Sequence, residues 1–371
     1  MRFTWISLNR LFWVCAILLF SEQMSAQDRG SVKGSVVEVA GKGGGIPGVN
    51  IYLEGTTLGT QTDSLGRFQL KNIPFGRYKI VASMVGFTPY IEFLDVDKQV
   101  KNLSIKLAED TKTLDEIRVV ATRDKVWERQ MKTFERIFLG ESYNKKQVII
   151  RNREAVDFTQ TDEVLVAKAN SPLVIENQTL GYTITYELDR LEVSKSLTSF
   201  RGLARYELNP PANKKQAEKW EENRKEAYLG SLTHFLKSMM EGRLEEAGFQ
   251  AYLLKPGMQN LSAGRRGYFY DVSTNRHFPF APFQYIKHIK DTELYLLDIS
   301  NAIELVYSKK RVSRPVFMDA PYPYTILIPK GLVVINAMGN LQDPFTLELR
   351  GEMGRAGMAE LLPMDYELPS N

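Results

Sequence analysis

Between residues 30 and 107 apolar side chains fall on every second position, and glycine or proline cuts each run short. That pattern suits strands with one buried face and leaves no stretch long enough for a helix. Val32 and Val36, then Val49, Ile51 and Leu53, then Phe68 and Leu70, then Tyr78, Ile80 and Ala82, then Leu103, Ile105 and Leu107 are the predicted core rows. Successive side chains of a strand point to opposite faces, so each row lies on one face. A small β-sandwich is the expected result.

The turns between these rows carry their own chemistry. Asp63 and Gly66 suit the first and last positions of a type I turn that delivers Phe68 inward. Pro74 and Gly76 form a second tight turn, proline fixing φ and glycine accepting the φ of the return strand. The series Pro47-Gly48-Val49, Gly55-Thr56, Gly59-Thr60, Thr62-Asp63 with Gly66 and Phe68, Ile73-Pro74 with Gly76 and Tyr78, and Val85-Gly86-Phe87 resembles the carboxypeptidase regulatory-like domain. That resemblance implies a seven-stranded transthyretin-like (prealbumin-like) sandwich over residues 28–108, an accessory domain without catalytic residues. It does not imply peptidase activity.

Ahead of the sandwich, Arg2 and Arg10 precede an apolar run over residues 11–20, followed by the small residues Ser25 and Ala26. This is the order of a secretory signal, with cleavage expected after Ala26. Ten apolar residues are too few for a spanning helix, which needs about 20. Cys15, the only cysteine, lies inside the run, so the mature chain is expected to have no disulfide, thiolate metal site or cysteine nucleophile. Removing residues 1–26 lowers the formal charge from +4 by one, a near-neutral balance that gives no case for nucleic acid. No later run is long enough for a transmembrane helix.

Residues 109–123 are charged and read as a linker. Within them Leu114-Asp115-Glu116-Ile117-Arg118-Val119-Val120 also resembles the segment that follows such a domain in TonB-dependent outer-membrane receptors. A receptor barrel of about 22 strands at roughly 10 residues each does not fit in the chain that remains. Beyond the linker, Asp124 is placed to cap a helix with Trp127, Met131, Phe134, Ile137 and Phe138 on one stripe and Gly140 as its stop. Strands are expected at 147–150, 164–167, 182–188 and 203–208. Residues 212–242 read as one helix interrupted near Gly230, or as two with Ser231 capping the second. Further strands are expected at 249–254, 267–272, 294–299, 303–307, 324–328, 332–335 and 345–349. The fold class expected is an N-terminal all-β sandwich followed by an α+β domain, residues 124–371, of mainly antiparallel strands with covering helices.

Trp127, Phe138-Leu139-Gly140, Asn144, Gly181-Tyr182, Tyr186, Arg201-Gly202, Trp220, Asn223-Arg224, Tyr228, Gly230-Ser231 and His234-Phe235 are similar to uncharacterised exported envelope proteins that pair this region with the sandwich. The resemblance implies a context and no mechanism. The three histidines, His234, His277 and His288, do not form a His-Glu-x-x-His or carboxypeptidase-type zinc pattern. Gly230-Ser231-Leu232-Thr233-His234 is not a nucleophile elbow, and Ser231 is more simply a helix cap. Gly41-Lys42-Gly43-Gly44-Gly45 lacks the second half of a phosphate loop. No catalytic residue, cofactor or metal is assigned.

One polar constellation stands out. On a continuous helix Trp220, Arg224, Ala227, Ser231, His234 and Phe235 would share a face within about 60°. An anion or sugar pocket would then be built from Arg201, Arg205, Trp220, Arg224, Tyr228 and His234. The competing expectation, preferred here, makes Arg224 a strut paired with a carboxylate such as Glu187 or Glu207. The function expected is a non-enzymatic binding or scaffold protein of the cell envelope, periplasmic or associated with the outer membrane. An envelope protein or a glycan is its expected partner. A periplasmic hydrolase with an unrecognised site, and an accessory component of a TonB-dependent uptake system, are the alternatives.

Overall fold

The computed structural model describes residues 29–39, 44–110, 124–141, 144, 146–194, 198–255, 276–310 and 322–369. The expected signal segment, most of the linker with its 114–120 stretch, the 41–43 part of the glycine run and the strand expected at 267–272 lie outside these residues. The first seven strands are β1 (Arg29–Glu38), β2 (Asn50–Leu53), β3 (Gly59–Gln61), β4 (Arg67–Pro74), β5 (Gly76–Ser83), β6 (Tyr90–Val96) and β7 (Lys101–Leu107). They form two sheets, β4-β1-β7 and β3-β2-β5-β6. β1 runs antiparallel to β4 and parallel to β7, pairing Gly34 with Phe68 and Val36 with Ile105. Every expected core residue is buried except Leu103, which packs on the rim of the core.

The turns follow their expected chemistry. Gly66 N donates to Asp63 O at 2.9 Å, and the Asp63 carboxylate accepts from the amides of Leu65 and Arg67. Gly66 sits at φ +74°, and a Cβ there would stand 2.6 Å from both Gly45 Cα and Val36 O. Only glycine closes that turn without displacing backbone.

Helix α1 (Lys125–Phe138) begins at Asp124, whose carboxylate accepts from the amides of Val126 and Trp127 at 2.9 and 2.8 Å. It ends where Gly140 takes φ +105°. Met131, Phe134 and Phe138 are fully buried against a six-stranded antiparallel sheet. Its strands are β8 (Val148–Ile150), β9 (Val156–Gln160), β10 (Leu165–Ala169), β11 (Leu173–Asn177), β12 (Tyr182–Val193) and β13 (Thr198–Leu208). The order is β8-β11-β12-β10-β9, with β13 also paired to β12. Phe138 meets Tyr186 and Phe200 edge-on at 5.1 and 5.3 Å, an arrangement that adds to simple burial.

Helices α2 (Lys214–Tyr228), α3 (Leu232–Met240) and α4 (Leu244–Ala247) follow. Then come β14 (Phe249–Leu254), β15 (Arg276–Pro279), β16 (Ile286–Ile289), β17 (Leu294–Leu297), β18 (Ile303–Tyr307), β19 (Tyr324–Pro329), β20 (Val333–Asn336) and β21 (Leu347–Gly351). These make a five-stranded sheet, β15-β14-β18-β19-β21, and a three-stranded one, β16-β17-β20. Phe235, Leu236 and Met239 of α3 share a core with Phe249, Leu305, Leu327 and Ile335. The region after the linker thus has mainly antiparallel strands with helices, as expected, yet holds separate apolar cores on α1 and on α3. No described helix is long and apolar enough to cross a membrane.

Residues 356–367 form a strap that touches all of these bodies. Met358 and Ala359 lie in the α1 core, and their amides donate to Phe138 O and Leu139 O. A Cβ on Gly357 would stand 2.2 Å from Gly140 N, so the strap passes where only glycine fits. Beyond it, Met364 N donates to Gly55 O in the sandwich.

Candidate functional site

Arg224, the centre of the expected constellation, is half-buried on α2 and reaches the β11–β12 turn. Its Nε donates to Leu180 O at 2.7 Å and its Nη2 to Gly181 O at 3.3 Å. The guanidinium carbon lies 4.4 Å from the centre of the Tyr182 ring, a cation–π distance. Burial pushes the Tyr182 hydroxyl up to about 12, against the opposing pull of Arg224. The carboxylate partner expected from the sequence is therefore corrected to backbone carbonyls. Glu207 pairs with Arg205 at 2.5 Å, and Glu187 is turned toward the sandwich. The physical reason lies in the turn, where Leu180 O takes its donor from Arg224 and Gly181 O is shared between Arg224 and the Asn209 amide.

The neighbours of Arg224 do the same work. Trp220 Nε1 donates to Gln178 O at 2.7 Å, and Asn223 Nδ2 to Thr179 O at 2.7 Å. Gly181, at φ +71°, lies so close beneath the indole that a Cβ would stand 2.4 Å from it. Helix α2 is pinned to this turn by three side chains, and its Ala227 packs against the core of the six-stranded sheet.

The helix is also not continuous. Leu229 turns extended, Gly230 takes φ +84°, and Ser231 restarts the chain as α3 by accepting from His234 N at 3.2 Å. The shared face from Trp220 to Phe235 is cut at that point. His234 is buried between Tyr228, Phe249 and Tyr307, at ring distances of 5.1, 4.9 and 5.9 Å. Its Nδ1 accepts from Gly230 N at 3.0 Å, and burial pulls its pKa to about 4, so the ring is neutral near pH 7. Tyr228 also meets Tyr366 of the strap at 5.7 Å.

Trp220, Arg224, Tyr228 and His234 thus belong to one seam joining the turn, the strap and the α3 core. Arg201 and Arg205 do not join it. Arg201 is exposed beside Asp189 at 3.3 Å and lines a shallow depression of about 260 Å³ with Arg190, Glu192, Ser199 and Phe345. Arg205 faces the sandwich, where its Nη1 donates to Asn50 Oδ1 at 3.1 Å and its guanidinium lies 5.9 Å from the Tyr52 ring centre.

Sequence reasoning missed this second polar cluster, the joint between the sandwich and β13. Gly55 N donates to Ala204 O at 2.8 Å and Tyr206 N to Thr56 O at 3.1 Å, so the β2–β3 turn covers the outer edge of β13. Glu187 accepts from Tyr52 OH and Ser83 Oγ, both at 3.4 Å. Burial raises the Glu187 carboxyl above its usual range, with the hydroxyl donors and Arg205 opposing. Glu54 is raised for the same reason, opposed by Lys79 and the Ala204 amide. The sequence signal for it is Gly55-Thr56, which belongs to the sandwich signature and carries no mark of a contact. Among the described residues no group of three or more histidine or acidic side chains is placed to hold a metal.

Residues 32–119 match the CarboxypepD_reg-like domain family. The match runs past β7 into residues outside the described set. A DUF3823 family protein from Bacteroides ovatus is 10% identical, covering 49% of this chain and 82% of that one, with a TM-score of 0.19. The minor pilin of Streptococcus agalactiae is 14% identical over 22% of this chain and 45% of its own, with a TM-score of 0.20. A type II cohesin-X-dockerin complex from Acetivibrio cellulolyticus gives 22% identity over 21% and 56%, with a TM-score of 0.19. The chain thus spans about half the length of the latter two. No curated protein matches it.

Proposed function

We propose that this chain is an exported, non-enzymatic binding or scaffold protein of the cell envelope, in which the sandwich presents a free sheet edge to a protein partner. The observation that carries this reading is β6. It pairs with β5 on one side and, among the described residues, with no strand on the other. Its outward residues Ile91 and Phe93 are 50% and 52% exposed. An unpaired edge with exposed large apolar side chains is a template for strand addition unless it is covered.

The polar groups support the same reading. The two carboxyls with raised pKa values, Glu54 and Glu187, lie inside a joint, and His234 is enclosed by rings. A hydrolase calls for such groups in an open cleft. Export is supported by the sequence order of residues 1–26.

A pull-down from intact envelopes with the mature protein tests the reading. A partner recovered by the wild type and lost with Ile91→Lys plus Phe93→Lys is the expected result. A partner retained by that double variant would overturn the role of β6, and turnover of an envelope substrate by the purified protein would overturn the non-enzymatic reading.

A further inference from the structure

The strap is seated on the sandwich through a set of directional polar contacts. Residues 363–366 make a tight turn in which Tyr366 N donates to Pro363 O at 3.0 Å. The turn places Met364 N on Gly55 O at 2.8 Å. Both oxygens of the Asp365 carboxylate are used, Oδ1 accepting from Thr57 N at 2.9 Å and Oδ2 from Thr57 Oγ1. Two residues on, the Glu367 carboxylate accepts from Arg29 Nη2 at 2.8 Å, while Arg29 Nη1 is anchored on Asn72 O at 3.0 Å. Met364 Sδ lies over Gly55, where a Cβ would stand 2.8 Å from it and φ is +75°.

These contacts form a set with one chemical preference. The sandwich offers a backbone carbonyl, an amide and a hydroxyl paired on one carboxylate, and a guanidinium on a second. Tyr366 points the other way, to Tyr228. A segment with carboxylates at its third and fifth positions, folded in a turn opened by proline, satisfies every donor. Met338 is the one residue from outside the sandwich in its buried core. Polar joints of this kind between bodies of one chain are held less permanently than shared apolar cores.

We propose that Arg29, Gly55 and Thr57 form a recognition site for acidic turn segments, filled in this chain by its own residues 363–367 and open to competition by such a segment on another chain. The site is distinct from the β6 edge, and its failure would leave that reading untouched.

The probe is a fluorescent peptide of residues 360–369, titrated by anisotropy. Protein ending at Leu362 keeps Met358 and Ala359 in their core and leaves the seat empty. This form is expected to bind the peptide saturably and at least about tenfold more tightly than the intact chain, whose strap competes. Peptide carrying Asp365→Asn, or truncated protein carrying Thr57→Val, should bind about tenfold more weakly, the usual scale for losing a charge-assisted hydrogen bond. No saturable binding by the folded truncated protein, or equal binding of the Asp365→Asn peptide, would overturn the proposal. Should truncation unfold the protein, full-length Asp365→Lys makes the same comparison. Uptake of the wild-type peptide above that of the intact chain is expected, and no gain would overturn it.

Discussion

The Tyr52 hydroxyl of the sandwich and the Glu187 carboxylate of β12 meet at 3.4 Å across the joint between the two bodies. Ser83 Oγ approaches the same oxygen at the same distance, and Arg205 stands beside them. Burial outweighs these partners and raises the Glu187 carboxyl from its ordinary 4.5. The joined state therefore binds a proton more readily than the unfolded chain. Its contribution to stability is full below about 4.5 and is lost as pH rises through the raised value. Glu187→Gln, which mimics the protonated acid, should stabilise the protein relative to wild type at neutral pH and lose that advantage in acid. Denaturant melts of both proteins at the two pH values check this, and a Gln variant less stable than wild type at neutral pH would contradict it.

Phe68 is 5% exposed in the sandwich core, beside Gly34 of β1, where a Cβ would already touch its ring at 2.9 Å. Phe68→Ala should cost about 3–5 kcal/mol, because so tightly enclosed a site cannot collapse around the lost ring. The measurement is the denaturation midpoint of the whole protein.

The sandwich was legible because its signal is local. Alternating apolar rows, Asp63 and Gly66 in one turn, and Pro74 and Gly76 in the next are each decided within a few residues. Helix α1 was legible for the same reason, with Asp124 and Gly140 marking its ends. Strand β9 was missed because Asp157, Thr159 and Gln160 expose their side chains and leave only Val156 fully buried. Strand β11 was missed because Leu173 and Ile175 make too short a row. The carbonyls that hold Arg224 carry no signature, since any residue supplies one, and so a carboxylate was expected in their place. The strap was invisible because its contacts run through backbone amides, through glycines, Gly55, Gly140 and Gly357, whose value lies in what they lack, and through two carboxylates, Asp365 and Glu367, whose partners are far away in sequence.

Export predicts a mass. Protein recovered from its native envelope should lack residues 1–26 and begin at Gln27, because Ser25 and Ala26 close an apolar run of the right length. Intact-mass measurement decides it, and a chain still starting at Met1 would remove the support for an envelope location.

Arg224 separates the two roles open to the polar seam from Trp220 to His234, a joint or a ligand pocket. As a strut, Arg224→Met strips the donor from Leu180 O, leaves Gly181 O with the Asn209 amide alone and removes the cation from Tyr182, costing about 2–4 kcal/mol. In an open pocket the same change would shift stability by less than about 1 kcal/mol while abolishing binding of an anion or sugar. A thermal melt of Arg224→Met against wild type is the direct measurement. A midpoint several degrees lower is predicted, and a midpoint matching wild type would contradict the account.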